Sequence, residues 1–263
     1  MRRLVLAFDT ATDRSALALG YWRGESIDML ASADFEAPRA ALGRLLPEIR
    51  DLLVAEGLSP GDLCEIVAGR GPGSFTGVRI GVATAKGLAH GLGTPLFGAG
   101  SLDAVAWACA ARVSGLLGVV GDAMRGEVYP ALFALEDGRA KRLTEDRVAH
   151  PADVVAEWRT RDESLLLAGG GLRKHGAHFA GLETAGASVL PDDLWLPGGA
   201  GLLAAYADAR LRDEAGDGHP QSLLPIYTRL SDAEENERDR AATDSLDMPA
   251  SGVRDAGRGG GRS

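Results

Sequence analysis

Residues 4–33 read LVLAFDTATDRSALALGYWRGESIDMLASA, and this stretch decides the predicted fold. An apolar run from Leu4 to Phe8 predicts a strand that ends at Asp9, and a polar turn separates it from a second strand, Ser15 to Tyr21. The glycine in Arg23-Gly24-Glu25 then predicts a tight turn into a third strand, as in a β-hairpin. Three short consecutive strands are therefore expected at the start of the chain.

A second copy of this pattern begins at residue 116. The predicted strand from Leu116 to Val120 ends near Asp122, and two more strands follow it, separated by the turn Asp137-Gly138. In each copy a helix, a strand that runs into glycines, and further helical and strand segments come next. This repeated order is typical of the actin-like (ribonuclease H-like) superfamily. We therefore predict an α/β duplicated fold with two βββαβαβα-type domains.

The repeat divides the chain into three predicted parts. We expect a first domain over residues 1–111 and a second, smaller one over residues 112–230. Residues 231–263 are acidic and then rich in glycine and arginine, with too few apolar side chains to offset the entropy lost on ordering. We predict that this tail is disordered.

Composition predicts a cytoplasmic protein without a membrane span. No run of about 18 apolar residues occurs, and the apolar run after Met1-Arg2-Arg3 is too short for a signal peptide. Cys64 and Cys109 lie in apolar segments and are expected to be buried, reduced thiols. The net charge of −9 argues against RNA binding by the chain alone, since neutralised phosphates supply most of such affinity. Any contact with tRNA is therefore expected only within a complex.

The glycine-rich segment at residues 69–81 is the most informative motif. Glycines at a strand-to-helix turn can present backbone N–H groups to a phosphate. Val78 stands where a Walker A loop needs lysine, and the spacing fits neither the GxGxxG fingerprint nor the GxSxG nucleophile elbow. Two interpretations stay open, phosphate binding or a tight turn that allows close helix–sheet packing.

Residues 71–81, GPGSFTGVRIG, resemble the signature of the TsaB family, the partner subunits of the bacterial tRNA threonylcarbamoyladenosine complex. Residues 7–12, 122–129 and 225–230 resemble the same family, so the likeness runs from residue 4 to about residue 235. The resemblance implies a non-catalytic subunit that supports a catalytic homologue, TsaD, at the adenosine next to the tRNA anticodon. It also implies that the chain helps to recruit an ATPase, TsaE.

The resemblance further implies that this chain holds no metal. The catalytic relatives bind a metal through an HxxxH pair, and the matching segment, residues 37–45, contains no histidine. His175 and His178 are close in sequence, but we place them in a glycine-rich loop without a third ligand. No catalytic residue is assigned.

The first-domain helices, about residues 40–56 and 76–92, are expected from the resemblance to bind the partner. The second is apolar on more than one face, as a helix hidden in a partner would be. The same surface would allow a homodimer when the chain is alone. The predicted interface residues are Leu45, Ile49, Val78, Ile80, Gly81, Ala85, Leu88 and Ala89.

Two further sites are predicted. Actin-like ATPases handle phosphate near the first turn, so the candidate nucleotide-binding residues are Asp9, Thr10, Gly71, Gly73 and Ser74. No cofactor is assigned to this chain by itself, with ATP or ADP the candidate at the interface of the complex. A second contact surface is expected at Arg125, Glu127 and Tyr129, which could instead form an exposed hairpin with an ion pair.

Two functions from other classes compete with the partner subunit. The first is an autonomous actin-like enzyme, either an ATPase or kinase or a metallopeptidase-like protein. The second is a homodimeric nucleotide-binding module. The missing HxxxH pair and Walker lysine count against the enzyme.

Overall fold

Two five-stranded mixed sheets with helices on their faces form the protein. The computed structural model describes residues 3–36, 41–161 and 163–228, which belong to one compact unit. The predicted disordered tail, residues 231–263, lies outside the described residues.

The first sheet has the strand order β3-β2-β1-β4-β5, with β1, β4 and β5 parallel and β2 antiparallel to both β1 and β3. Its strands are β1 (Leu4–Asp9), β2 (Arg14–Arg23), β3 (Ser26–Glu36), β4 (Leu63–Gly69) and β5 (Leu96–Ala99). The helices of this half are α1 (Ala41–Ala55), α2 (Phe75–Leu92) and α3 (Ser101–Ala110), with a 3-10 turn at Pro60–Asp62.

The second sheet repeats the first in order and direction, as β8-β7-β6-β9-β10. Its strands are β6 (Gly115–Asp122), β7 (Val128–Glu136), β8 (Arg139–Arg142), β9 (Leu165–Ala168) and β10 (Ser188–Val189). The helices are α4 (Pro151–Trp158), α5 (Leu172–Glu183) and α6 (Gly199–Leu211), with a 3-10 turn at Asp192–Leu194. The matching order of the two sheets confirms the predicted duplicated α/β fold.

Strand β1 is buried on both faces, which explains its continuous apolar sequence. Because side chains alternate along a strand, Leu6 and Phe8 face α1 and α2. Val5 and Ala7 on the opposite face pack against α6. The end of β1 is therefore held rigidly between helices, and it carries the residues of the first candidate site.

The last helix of each half packs on the sheet of the other half. Helix α3 contributes Leu102 and Val105 to the core of the second sheet, where they lie with Leu117 and Phe133. Helix α6 covers the first sheet instead, with Tyr206 fully buried there. The predicted boundary between residues 111 and 112 thus separates two sequence repeats whose cores share helices.

Buried polar contacts reinforce this exchange. The hydroxyl of Tyr206 on α6 donates to the Glu65 carboxylate on β4 at 2.9 Å, and the Trp22 indole N–H donates to the same carboxylate at 2.7 Å. The Arg142 guanidinium on β8 binds Asp103 on α3 at 2.8 Å. Both links join one half of the chain to a helix of the other.

Two local predictions were wrong. His175 and His178 lie in helix α5, because Leu172, Phe179 and Leu182 pack that segment on the second sheet despite its glycines. Cys64 is exposed, whereas Cys109 is buried as expected.

No helix among the described residues is long and apolar enough to cross a membrane.

Candidate functional site

Asp9, at the end of β1, is buried beneath the surface. Its carboxylate accepts hydrogen bonds from the Ala11 N–H at 2.6 Å and from the Ser101 hydroxyl. Burial raises the pKa of Asp9 above its ordinary value, against the lowering effect of these two hydrogen bonds. Asp9 therefore ties the turn after β1 to the start of α3.

The start of helix α2 lies directly on this turn. The Thr10 hydroxyl donates to the Gly77 carbonyl at 2.7 Å. A Cβ atom at Gly77 would lie 2.0 Å from the Thr10 carbonyl oxygen, and one at Gly81 would lie 2.4 Å from the Thr10 hydroxyl oxygen. Glycines four residues apart on one helical face thus allow α2 to lie directly against Thr10, which favours the close-packing interpretation of the glycine-rich motif.

The other candidate phosphate-binding groups have partners inside the protein. The Gly71 N–H donates to the Ser101 hydroxyl at 3.1 Å, and the Gly71 carbonyl accepts from the Ser101 N–H at 2.8 Å. Ser74 caps α2 by accepting from the Gly77 N–H at 3.2 Å. Of the five predicted residues only Gly73 and Ser74 line the nearby cleft, and nucleotide binding by this set stays a prediction.

A cleft of about 310 Å³ lies between the two halves. It is formed by the turn after β1, the glycine-rich turn before α2, helix α3, strand β6, the start of α5 and residues 195–197. Sequence reasoning missed Arg14, Arg173, Lys174 and Trp195 in its walls, because the tertiary fold alone brings these separate segments together. The glycines at 169–171, which repeat those at 69–73, were the one available signal for this place.

The predicted second contact surface is divided by the structure. Arg125 and Glu127 lie in the turn before β7, where Arg125 has a φ of 51°, and not on the strand. Tyr129 lies on β7, is buried, and lines the cleft. A joint contact role for the three residues stays a prediction.

Most of the predicted interface residues face the protein's own core. Leu45, Ile49, Val78, Ala85 and Ala89 are buried against the first sheet. Gly81 meets Thr10, while Ile80 and Leu88 are half-buried.

The solvent face of the same helices carries other residues. Helix α2 exposes Ala83, Gly87 and Gly91, which lie four residues apart on one face. Helix α1 exposes two large apolar side chains, Leu46 at 49% and Val54 at 66%. A partner that packs on α2 would meet this row of small residues, and one that packs on α1 would meet these two side chains.

Metal-binding side chains are not brought together in the described part of the chain, where no group of three or more His, Cys, Asp or Glu side chains could hold an ion. The His175 Nε2 atom lies 3.8 Å from an Asp122 carboxylate oxygen. Nε2 is shielded from solvent and has no hydrogen-bond partner among the described residues.

The comparisons with known proteins agree on one family. Residues 35–194 match the family model described as TsaD, tRNA N6-adenosine threonylcarbamoyltransferase. The chain is 33% identical over 198 residues to the tRNA threonylcarbamoyladenosine biosynthesis protein TsaB of Bacillus subtilis, covering 73% of this chain and 80% of that protein. It is 41% identical over 156 residues to the Escherichia coli protein of the same name, covering 58% of this chain and 64% of that one.

A solved structure has the same fold. YeaZ from Pseudomonas aeruginosa superposes with a TM-score of 0.71 and 28% sequence identity, covering 86% of this chain and 99% of YeaZ.

Proposed function

This chain belongs to the TsaB family of tRNA threonylcarbamoyladenosine biosynthesis proteins, and the TsaD family model also matches it. From this membership we propose that the chain is a non-catalytic partner subunit. It acts in the cytoplasm by binding the catalytic homologue TsaD and helping to recruit the ATPase TsaE. The net charge of −9 favours contact with tRNA through the other members of the complex.

The exposed face of α2 is the observation that carries this proposal. Small residues at 83, 87 and 91 allow the backbone of a second helix to approach closely, and Ile80 and Leu88 beside them are half-buried. Leu46 and Val54 on α1 add exposed apolar area to the same pair of helices. A surface with these properties is suited to a helix–helix contact with a homologous protein.

Gly87→Arg tests the interface without disturbing the core. A Cβ atom added at Gly87 meets no atom within 4 Å, and arginine is a better helix former than glycine. We expect the variant to fold normally and to lose the complex with TsaD, because a long charged side chain blocks close helix approach. Light scattering coupled to size-exclusion chromatography of the mixture measures this.

Gly176→Arg on α5 is the matched control, since it is also a helical glycine with no atom within 4 Å of an added Cβ. It should form the complex as the wild type does. Unchanged binding of TsaD by Gly87→Arg would contradict the proposed surface. Transfer of the threonylcarbamoyl group to tRNA by this chain alone would contradict its non-catalytic role.

A further inference from the structure

The cleft between the two halves joins an apolar floor to a charged mouth. The buried residues Leu102, Val105, Val119 and Tyr129, together with the half-buried Trp195, form the floor. The lining also includes three basic and three acidic residues, namely Arg14, Arg173, Lys174, Asp13, Glu36 and Asp122.

The charges at the mouth are unequally satisfied. Lys174 and Asp122 bind each other, and this hydrogen bond raises the pKa of Lys174. Asp13 and Glu36 are exposed, so water can hydrate their carboxylates. The Nε–H of Arg14 is shielded from solvent and has no acceptor among the described residues, and the nearest acid, Asp34, lies 3.9 Å from a terminal nitrogen. The Arg14 side chain is 28% exposed, so its terminal nitrogens, and not the shielded Nε, are the groups that a ligand can contact. Arg173 is exposed and forms no ion pair among the described residues.

We propose that this cleft binds a small carboxylic acid with an apolar body. The carboxylate accepts from the guanidinium groups of Arg14 and Arg173, whose planar forks match its two oxygens. The apolar body lies on the floor beside Trp195. This ligand site goes beyond the partner-subunit role and does not depend on it.

Size and charge both favour a singly charged ligand. A volume of about 310 Å³ is at the lower end for ligand pockets. A triphosphate would meet the carboxylates of Asp13, Glu36 and Asp122, which oppose added negative charge. The N–H groups of Gly71 and Ser74, which could otherwise hold a phosphate, already donate within the protein.

A series of probes that share one apolar body tests the proposal. We would titrate the purified full-length chain with 3-phenylpropionate, its neutral amide, the cationic 3-phenylpropylamine and Mg²⁺-ADP. Tryptophan fluorescence and ligand-observed NMR report binding. The acid should bind with a Kd on the order of 1 mM and about tenfold more tightly than the amide, with no saturable binding of the amine.

Arginine variants locate the site. Arg14→Gln and Arg173→Gln should each weaken binding of the acid about tenfold and leave binding of the amide unchanged, since only the charge-assisted contact is lost. Arg50→Gln is the matched control, because Arg50 is an exposed helical arginine on α1 that pairs with its neighbour Asp51.

Four results would overturn the proposal. They are no saturation by the acid at about ten times the expected Kd, equal binding of acid and amide, tighter binding of Mg²⁺-ADP than of the acid, and unchanged binding in both arginine variants.

Discussion

Gly77→Ala places one methyl group where helix α2 meets the turn after β1. The new Cβ would lie 2.0 Å from the Thr10 carbonyl oxygen, and real Cβ atoms do not come closer than 3.0 Å. The helix or the turn must therefore shift by about 1 Å. Such a shift stretches the hydrogen bond from the Thr10 hydroxyl to the Gly77 carbonyl, which is 2.7 Å long.

The expected loss of stability follows from three effects. Overpacking costs about 1–3 kcal/mol, and the stretched hydrogen bond costs about 1 kcal/mol. Replacing a helical glycine by alanine returns about 1 kcal/mol. The free energy of unfolding should therefore fall by about 1–3 kcal/mol, which lowers the Tm by about 2–4 °C per kcal/mol in a domain of this size.

Gly87→Ala in the same helix is the control, because no atom lies within 4 Å of its added Cβ. It should raise the free energy of unfolding by about 1 kcal/mol through helix propensity alone. Urea unfolding of both variants, followed by circular dichroism, measures the difference. If Gly77→Ala proves as stable as Gly87→Ala, the close contact between α2 and the turn is not a constraint and the reasoning fails.

Three further predictions concern buried groups. Burial raises the pKa of Asp9, so its protonated carboxyl is the form that favours folding. The stability of the wild type relative to Asp9→Asn should fall as the pH rises above about 4, and a pH-independent difference in urea midpoints would contradict this. Burial raises the pKa of Cys109 to about 12, so a thiol reagent at pH 8 should modify only the exposed Cys64 in the native protein and both thiols in urea. Labelling of both thiols in the native protein would contradict this prediction. Tyr206→Phe removes a donor from the buried Glu65 carboxylate and should cost about 2 kcal/mol in urea unfolding. A neutral result would show that Trp22 and Arg3, its other two donors, satisfy Glu65 without it.

The sequence predicted the order of elements well because strand and turn patterns are local. Strand β1 (Leu4–Asp9) and the turn at Asp137 and Gly138 lie where they were expected, and the repeated strand order of the two sheets follows from the repeat. Helix α5 was mistaken in part for a loop, since Gly171 and Gly176 suggest irregular backbone. Its helix depends on tertiary packing of a few apolar side chains, which local propensity does not report.

The candidate sites were less predictable because they depend on contacts between distant residues. Asp9 was expected to be available to a nucleotide. In the structure its carboxylate is buried and accepts a hydrogen bond from Ser101, which lies 92 residues further along the chain. The apolar pattern of α2 was correct, yet it could not tell which face meets the sheet. The structure assigns Val78 and Ala85 to the core and leaves Gly87 on the outside.

The exchange of α3 and α6 between the sheets has a consequence for how the chain is made. The face of the first sheet that carries Val5 and Ala7 is covered by α6, which begins at Gly199, 100 residues after β5 ends at Ala99. At a synthesis rate of about 5–20 residues per second, this apolar face stays exposed for roughly 5–20 s before α6 is synthesised. Nascent chains of this protein should therefore depend on chaperones that shield apolar sheet surface until residue 211 has emerged.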